Sequence, residues 1–139
     1  MGVVLALLGG CEVLSTDKTP QRIKDGTSQL DLSVLGRPTP GGLATTEHVL
    51  ARLKARDVEG LAELAGEDGG ATDHAKRWVA RWGDAAQRPA TAEFLRGEKE
   101  ASVDVRFRGE RSTLSLLLMP EDEKAPYDDR FVVVLHEDP

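Results

Sequence analysis

At 139 residues the chain has the length of one domain, and its 40% apolar and 30% charged residues are an ordinary globular mixture. Its 18 Lys and Arg residues are outnumbered by 24 acids, for a formal net charge of −6, and no basic run is present. We therefore expect no nucleic-acid partner, because binding phosphates requires a clustered positive surface. The same acidity argues against electrostatic adhesion to anionic lipid.

The apolar run at residues 3–8 extends at most to Gly10 and is followed by Cys11, the one cysteine of the chain. A membrane-spanning helix needs about 20 apolar residues, so this run fits only the hydrophobic region of a signal peptide. The sequence Leu8-Gly9-Gly10-Cys11 resembles the lipobox of bacterial lipoproteins. The resemblance implies that residues 1–10 are a signal peptide and that the Cys11 thiol carries the lipid.

The start of the chain departs from the lipoprotein pattern in one respect. No Lys or Arg precedes the apolar run, although such signals usually begin with a basic segment. Either translation starts upstream of Met1 or the match is accidental. In the second case, the segment is a buried N-terminal strand or helix with an inert cysteine. We expect a lipid-anchored protein on the extracytoplasmic face of the cell membrane.

Residues 12–43 are rich in Thr, Ser, Pro, Gly and Asp, with a helix-breaking cluster at residues 37–42. We interpret residues 11–44 as the lipid-bearing cysteine and a polar tether. Within it, Leu30, Leu32 and Val34 alternate with polar residues. That alternation fits a short edge strand, a segment laid along the domain, or a partly ordered linker.

Three helices are predicted at the start of the domain, which we place at residues 45–139. Their expected N-caps are Thr45 or Thr46, then Asp57, then Thr72 or Asp73. The second helix should end at Gly66 and the third at Gly83. The third helix has the clearest apolar stripe, at i, i+3, i+4 and i+7: Ala75, Trp78, Val79 and Trp82.

The periodicity then changes from helical to alternating, which predicts about four antiparallel strands. The first contains Ala92 and Phe94, and the second alternates along residues 101–107. The third ends at Pro120, before an acidic loop at residues 121–129. The apolar run at residues 131–135 predicts a central strand that is covered on both faces. Helices followed by strands indicate an α+β fold.

The helix, break and second helix of residues 49–64, VLARLKARDVEGLAEL, resemble the opening of the NTF2-like, or cystatin-like cone, superfamily. The resemblance implies about three helices packed on a curved antiparallel sheet. Lipoproteins with one such domain occur in actinobacteria, whose residue usage is similar. Catalytic members of the superfamily carry an acid or histidine inside the cone. The residues expected to face inward here are all apolar, so the resemblance transfers no catalytic residue to this chain.

The remaining candidates for chemistry are few. Trp78 and Trp82 fit either a ligand pocket or, more simply, the contact between helix and sheet, and His48 fits a pocket mouth or an exposed helix position. The pair Asp73-His74 and the sequence His136-Glu137-Asp138 lack the spacing of a catalytic or metal site. The acidic loop fits weak calcium binding or simple solvation. We expect no metal and no cofactor.

The sequence therefore predicts an exported, lipid-anchored protein whose domain binds a ligand or partner without catalysis. The alternative is a small-pocket enzyme of the NTF2-like type, such as an isomerase, a dehydratase or a hydrolase. A third possibility is a cytoplasmic interaction protein whose start only mimics a signal. An ionisable side chain buried in an apolar cavity would favour the enzyme.

Overall fold

Residues 30–66, 70–96 and 100–136 are the part of the chain that the structure, a computed structural model, describes. Within these ranges the fold is α+β, with three helices and a five-stranded mixed sheet. The helices are α1 (Pro40–Ala55), α2 (Val58–Leu64) and α3 (Ala71–Trp82), followed by a 3₁₀ turn at Ala85–Gln87. The strands are β1 (Leu32–Gly36), β2 (Ala90–Arg96), β3 (Ala101–Phe107), β4 (Thr113–Pro120) and β5 (Phe131–Val134).

The sheet has the order β1-β2-β3-β4-β5 and is open, with β1 and β5 at its edges. Strands β2 to β5 form the antiparallel meander that the sequence predicts. Strand β1 precedes the helices and pairs with β2 in parallel, so the three helices form the connection between two parallel strands. Leu32 and Val34 of β1 are buried in the core, so this part of the predicted tether is an edge strand.

Helix α1 begins earlier than the sequence predicts. Its N-cap is Thr39, whose hydroxyl oxygen accepts a hydrogen bond from the Gly42 N–H, and Pro40 occupies the first helical position. Proline fits there because the first N–H groups of a helix have no partner within the helix. The predicted caps Thr45 and Thr46 are wrong, since both lie inside the helix and donate to carbonyl oxygens one turn earlier.

The second helix is confirmed at both ends. The Asp57 carboxylate caps it by accepting from the Gly60 N–H at 2.9 Å, and Gly66 follows it with a positive φ of 71°. For α3, Gly83 closes the helix as predicted. The predicted caps Thr72 and Asp73 are wrong, because the helix starts at Ala71 and both residues lie within its first turn.

The strand pattern of β3 and β4 is confirmed. The alternating apolar residues of both strands point into the core, while the intervening residues lie on the other face. The prediction for the last strand is wrong, because β5 pairs only with β4 and is an edge strand. Val133 belongs to the core, whereas Val132 and Val134 are half-buried on the outer side of the sheet. The apolar run at residues 131–135 therefore belongs to an edge strand that has apolar residues on both of its faces.

Candidate functional site

The space between the helices and the sheet is filled by apolar side chains. Trp78 of α3 is 0% exposed and Trp82 is 2% exposed. The Trp78 indole N–H donates to the His136 carbonyl oxygen at 2.9 Å, which ties α3 to the end of β5. The Trp82 ring lies 5.9 Å from Phe107, centroid to centroid, and the Arg81 guanidinium covers it at 4.0 Å. Both candidate pocket residues are therefore packed into the core.

The buried side chains of the sheet, among those that the structure describes, are all apolar. Every buried residue of β1 to β5 is apolar: Leu32, Val34, Ala90, Ala92, Phe94, Val103, Val105, Phe107, Leu114, Leu116, Leu118 and Val133. The helices contribute two buried polar residues, Thr46 and Glu47. Glu47 is not among the residues predicted from the sequence, although its spacing of four from Leu43 and three from Leu50 places it on their side of α1.

The histidines occupy three separate elements. His48 is exposed on α1, His74 is half-buried in the first turn of α3, and His136 is exposed beyond β5. The Nδ1 atom of His74 is buried without a hydrogen-bond partner. The described residues contain no group of three or more His, Cys, Asp or Glu side chains placed to hold a metal ion. Cys11, Glu137 and Asp138 lie outside the described residues.

The acidic loop between β4 and β5 is partly committed to helix capping. The Asp129 carboxylate accepts hydrogen bonds from the Thr39 hydroxyl and, at 2.6 Å, from the Gly41 N–H. The Asp122 carboxylate accepts from the Lys124 N–H at 2.9 Å. Asp129 is therefore a structural anchor for α1 rather than a solvated loop residue, and its two oxygens are engaged.

A polar groove of about 340 Å³ lies at one end of the outer face of the sheet. Ser33, Thr91 and Arg106 face it from three adjacent strands, because they are in register across β1, β2 and β3. The other residues that line it are Asp31, Pro89, Ala90, Phe107 and Arg108. A smaller groove adjoins it through Asp31, Ala90 and Phe107 and extends to Lys54, Gln87 and Arg88.

The arginines at this end of the molecule fall into two groups. Arg52, Arg56 and Arg81 each pair with a carboxylate, at Asp57, Asp84 and Glu110 respectively. Within the described residues, Arg88, Arg106 and Arg108 form no ion pair with a carboxylate. The Arg88 guanidinium instead donates to the Arg108 carbonyl oxygen at 3.3 Å. The second group therefore leaves positive charge around the polar groove, with Asp31 as its one carboxylate.

Two of the paired carboxylates, those of Asp84 and Glu110, have a lowered pKa. The hydrogen bond from Arg56 lowers the pKa of Asp84 below its ordinary value. The hydrogen bond from the Ser112 N–H, at 3.2 Å, lowers the pKa of Glu110, and the charge of Arg81 lowers it further. Both carboxylates are therefore charged at neutral pH.

The opposite end of the outer face is apolar. Leu95 is 46% exposed and Met119 is 38% exposed. Leu95, Leu117 and Val134 lie in one cross-strand row with Ser102 between the first two. Between the apolar row and the groove, Glu93 of β2 is paired with Asp104 of β3, and the Ser115 hydroxyl donates to Asp104 at 3.1 Å. The outer face thus changes along the strands from cationic to acidic to apolar.

No family model, curated protein or solved structure matches this chain. None of the helices in the described part of the chain is long and apolar enough to cross a membrane. The case for a function therefore depends on the residues and geometry described above.

Proposed function

We propose that this protein is exported, is held to the membrane by a lipid on Cys11, and binds a ligand or partner without catalysis. The anchoring part rests on the sequence Leu8-Gly9-Gly10-Cys11, since small residues before a cysteine suit the signal peptidase. Each buried methylene of an acyl chain adds about 0.8 kcal/mol, so two or three chains give stable anchoring. The resemblance to the NTF2-like superfamily, with its curved cone-shaped sheet, is part of the same proposal.

One observation carries the binding part, namely that the interface between helices and sheet is filled. Trp78, Trp82 and Leu53 are nearly or fully buried there, and the buried strand residues that face them are apolar. A small-pocket enzyme of the cone type needs an ionisable group aimed into an internal cavity. The described residues instead form a polar groove on the outer face of the sheet, which is lined by Arg106 and Arg108.

The enzyme alternative depends on Glu47, which is 7% exposed on α1. Glu47 lines neither groove at the arginine end of the sheet. The packing of α1 against the core accounts for the burial of Glu47 without a catalytic role. We therefore favour binding over catalysis.

Detergent phase partitioning tests the anchor. The chain, expressed in a bacterium that processes lipoproteins, should enter the detergent phase, and its Cys11→Ala variant should remain in the aqueous phase. Mass spectrometry of the wild-type protein should show a new N-terminus at Cys11 and the mass of the attached acyl chains. Equal partitioning of the two proteins into the aqueous phase, with residues 1–10 retained, would disprove lipid anchoring.

A further inference from the structure

The described residues carry opposite charges at the two ends of the sheet. At the end where β1 and β2 begin lie the exposed Arg88, Arg106, Arg108 and Arg111. Asp31 lies beside them, and Glu93 and Asp104 lie two residues farther along the strands. Asp57, Asp84 and Glu110 are paired with other arginines. At the other end, the β4–β5 loop is predominantly acidic, and its charged residues are Glu121, Asp122, Glu123, Lys124, Asp128, Asp129 and Arg130. The net negative charge of the chain therefore conceals a basic end.

The two ends are far enough apart to act separately. Thr113, which is paired with Arg106, begins β4, and Pro120 ends it next to the acidic loop. Seven residue steps of about 3.3 Å separate them by about 23 Å. The Debye length at physiological ionic strength is about 8 Å. A surface that contacts the basic end is therefore largely screened from the acidic loop.

The chain leading from the proposed anchor joins the domain at this same basic end. Asp31 lines both grooves and directly precedes β1, so the described part of the chain begins beside Arg106 and Arg108. From residue 11 to residue 30 the chain spans at most about 65 Å when fully extended. This tether raises the effective concentration of the basic end at the membrane surface.

We propose that the groove lined by Arg106 and Arg108 binds the anionic phospholipid headgroups of the membrane in which Cys11 is anchored. The proposal rests on the proposed function, since it names the partner of the same site. Guanidinium groups bind phosphate oxygens with paired hydrogen bonds, and the Ser33 and Thr91 hydroxyls add donors beside them. Contact through this end orients the domain, with the acidic loop and the apolar end of the outer face directed away from the bilayer.

The net charge of −6 predicts no electrostatic binding to anionic lipid, because a net charge says nothing about where the charged residues lie. Electrostatic attraction to a membrane acts within about one Debye length of the lipid surface, at about 1 kcal/mol for each basic residue there. The groove concentrates unpaired arginines within such a distance, while the ion pairs of Arg56 and Arg81 leave those residues nearly neutral. The distribution of charge, rather than its sum, controls this contact.

Vesicle sedimentation with the full 139-residue Cys11→Ser chain tests the proposal without any lipid anchor. We expect binding to vesicles containing phosphatidylglycerol, little binding to pure phosphatidylcholine, and a loss of binding as salt increases. The Arg106→Gln/Arg108→Gln variant should bind about 30-fold more weakly, which corresponds to two basic residues at the membrane surface. The matched control, Arg37→Gln/Arg130→Gln, removes the same charge from exposed arginines at the opposite end of the sheet and should bind like the parent chain.

Equal binding to the two vesicle types, or an equal loss in the two double variants, would overturn the proposal. The proposal would also be overturned if inorganic phosphate shifted the NMR resonances of Arg106 and Arg108 while the protein did not bind vesicles. That result would assign the groove to a free anion. Circular dichroism shows whether each variant folds, and the salt dependence of the parent chain tests the proposal without any variant. Failure of vesicle binding leaves the detergent-phase result unchanged, so the headgroup site and the anchor are tested separately.

Discussion

The contact between Asp129 and the start of α1 joins two segments that lie 88 residues apart in the chain. The Asp129 carboxylate accepts from the Gly41 N–H and the Thr39 hydroxyl, and Thr39 in turn accepts from the Gly42 N–H. One carboxylate therefore satisfies an otherwise unpaired helix N–H and fixes the capping residue. We expect its removal to destabilise the whole domain, because it links α1 to the loop that leads into β5.

The magnitude follows from the contacts. A hydrogen bond to a charged group contributes about 1.5–3 kcal/mol, and a carboxylate at a helix N-terminus adds about 0.3–1 kcal/mol. Partial exposure of the group reduces both, so Asp129→Ala should lower the free energy of unfolding by about 2–3 kcal/mol. Asp129→Asn keeps an acceptor and tolerates the positive φ of 59°, so its loss should be about 1 kcal/mol. A Cβ added at Gly41 would lie 1.7 Å from the Asp129 carbonyl oxygen, so Gly41→Ala should cost more than either.

Urea unfolding followed by tryptophan fluorescence measures these differences, because Trp78 and Trp82 are both buried in the core. Asp128→Ala is the matched control, since Asp128 is the exposed neighbour of Asp129 in the same loop. The control should change the free energy of unfolding by less than about 0.5 kcal/mol. If Asp129→Ala and Asp128→Ala unfold at the same urea concentration, the carboxylate does not hold the helix and the reasoning is refuted.

Three further predictions concern the sheet and the loops. Leu32→Ala should lower the free energy of unfolding by about 2–5 kcal/mol in the same urea assay, because Leu32 is 4% exposed in β1, and no loss would mean that β1 is a tether. Glu93→Thr should raise the free energy of unfolding by about 0.2–1 kcal/mol, because Glu93 lies directly opposite Asp104 on the adjacent strand. A lower free energy of unfolding would show that the two carboxylates do not repel each other. The folded-state pKa of Asp84 is lowered by Arg56, so this pair stabilises the fold above the unfolded pKa and ceases to do so as pH falls through the folded value. Asp84→Asn should therefore make the melting temperature less dependent on pH below about pH 4, and identical profiles would contradict this.

The elements that were predicted best are those in which the spacing of apolar side chains marks one buried face. The stripe of α3 from Ala75 to Trp82 and the alternation of β3 from Ala101 to Phe107 each require one buried side, and both are found. The cap at Asp57 was predictable for the same reason, because its carboxylate bonds to an N–H only three residues away. In these three cases, the spacing of residues within one element is enough to predict its structure.

Positions that depend on distant partners were not predictable. The start of α1 at Thr39 is reinforced by Asp129, and the edge position of β5 follows from its pairing with β4 alone. The polar groove could be inferred only in part. Arg106 and Arg108 stand two residues apart, which indicates a shared face, but nothing in the spacing places Ser33 of β1 beside them.

The sequence by itself determined the α+β class, both ends of α2 and the inward-facing apolar residues of β3 and β4, because periodicity and capping act over a few residues. Only the tertiary structure decided that the segment at Leu32 is a strand of the sheet and that β5 is an edge. It also decided that Arg88, Arg106 and Arg108 lie together at one end of the sheet, in a chain whose net charge is negative. Parallel pairing of β1 with β2 joins residues more than 50 positions apart, such as Leu32 and Ala90, and no local pattern specifies such a partner.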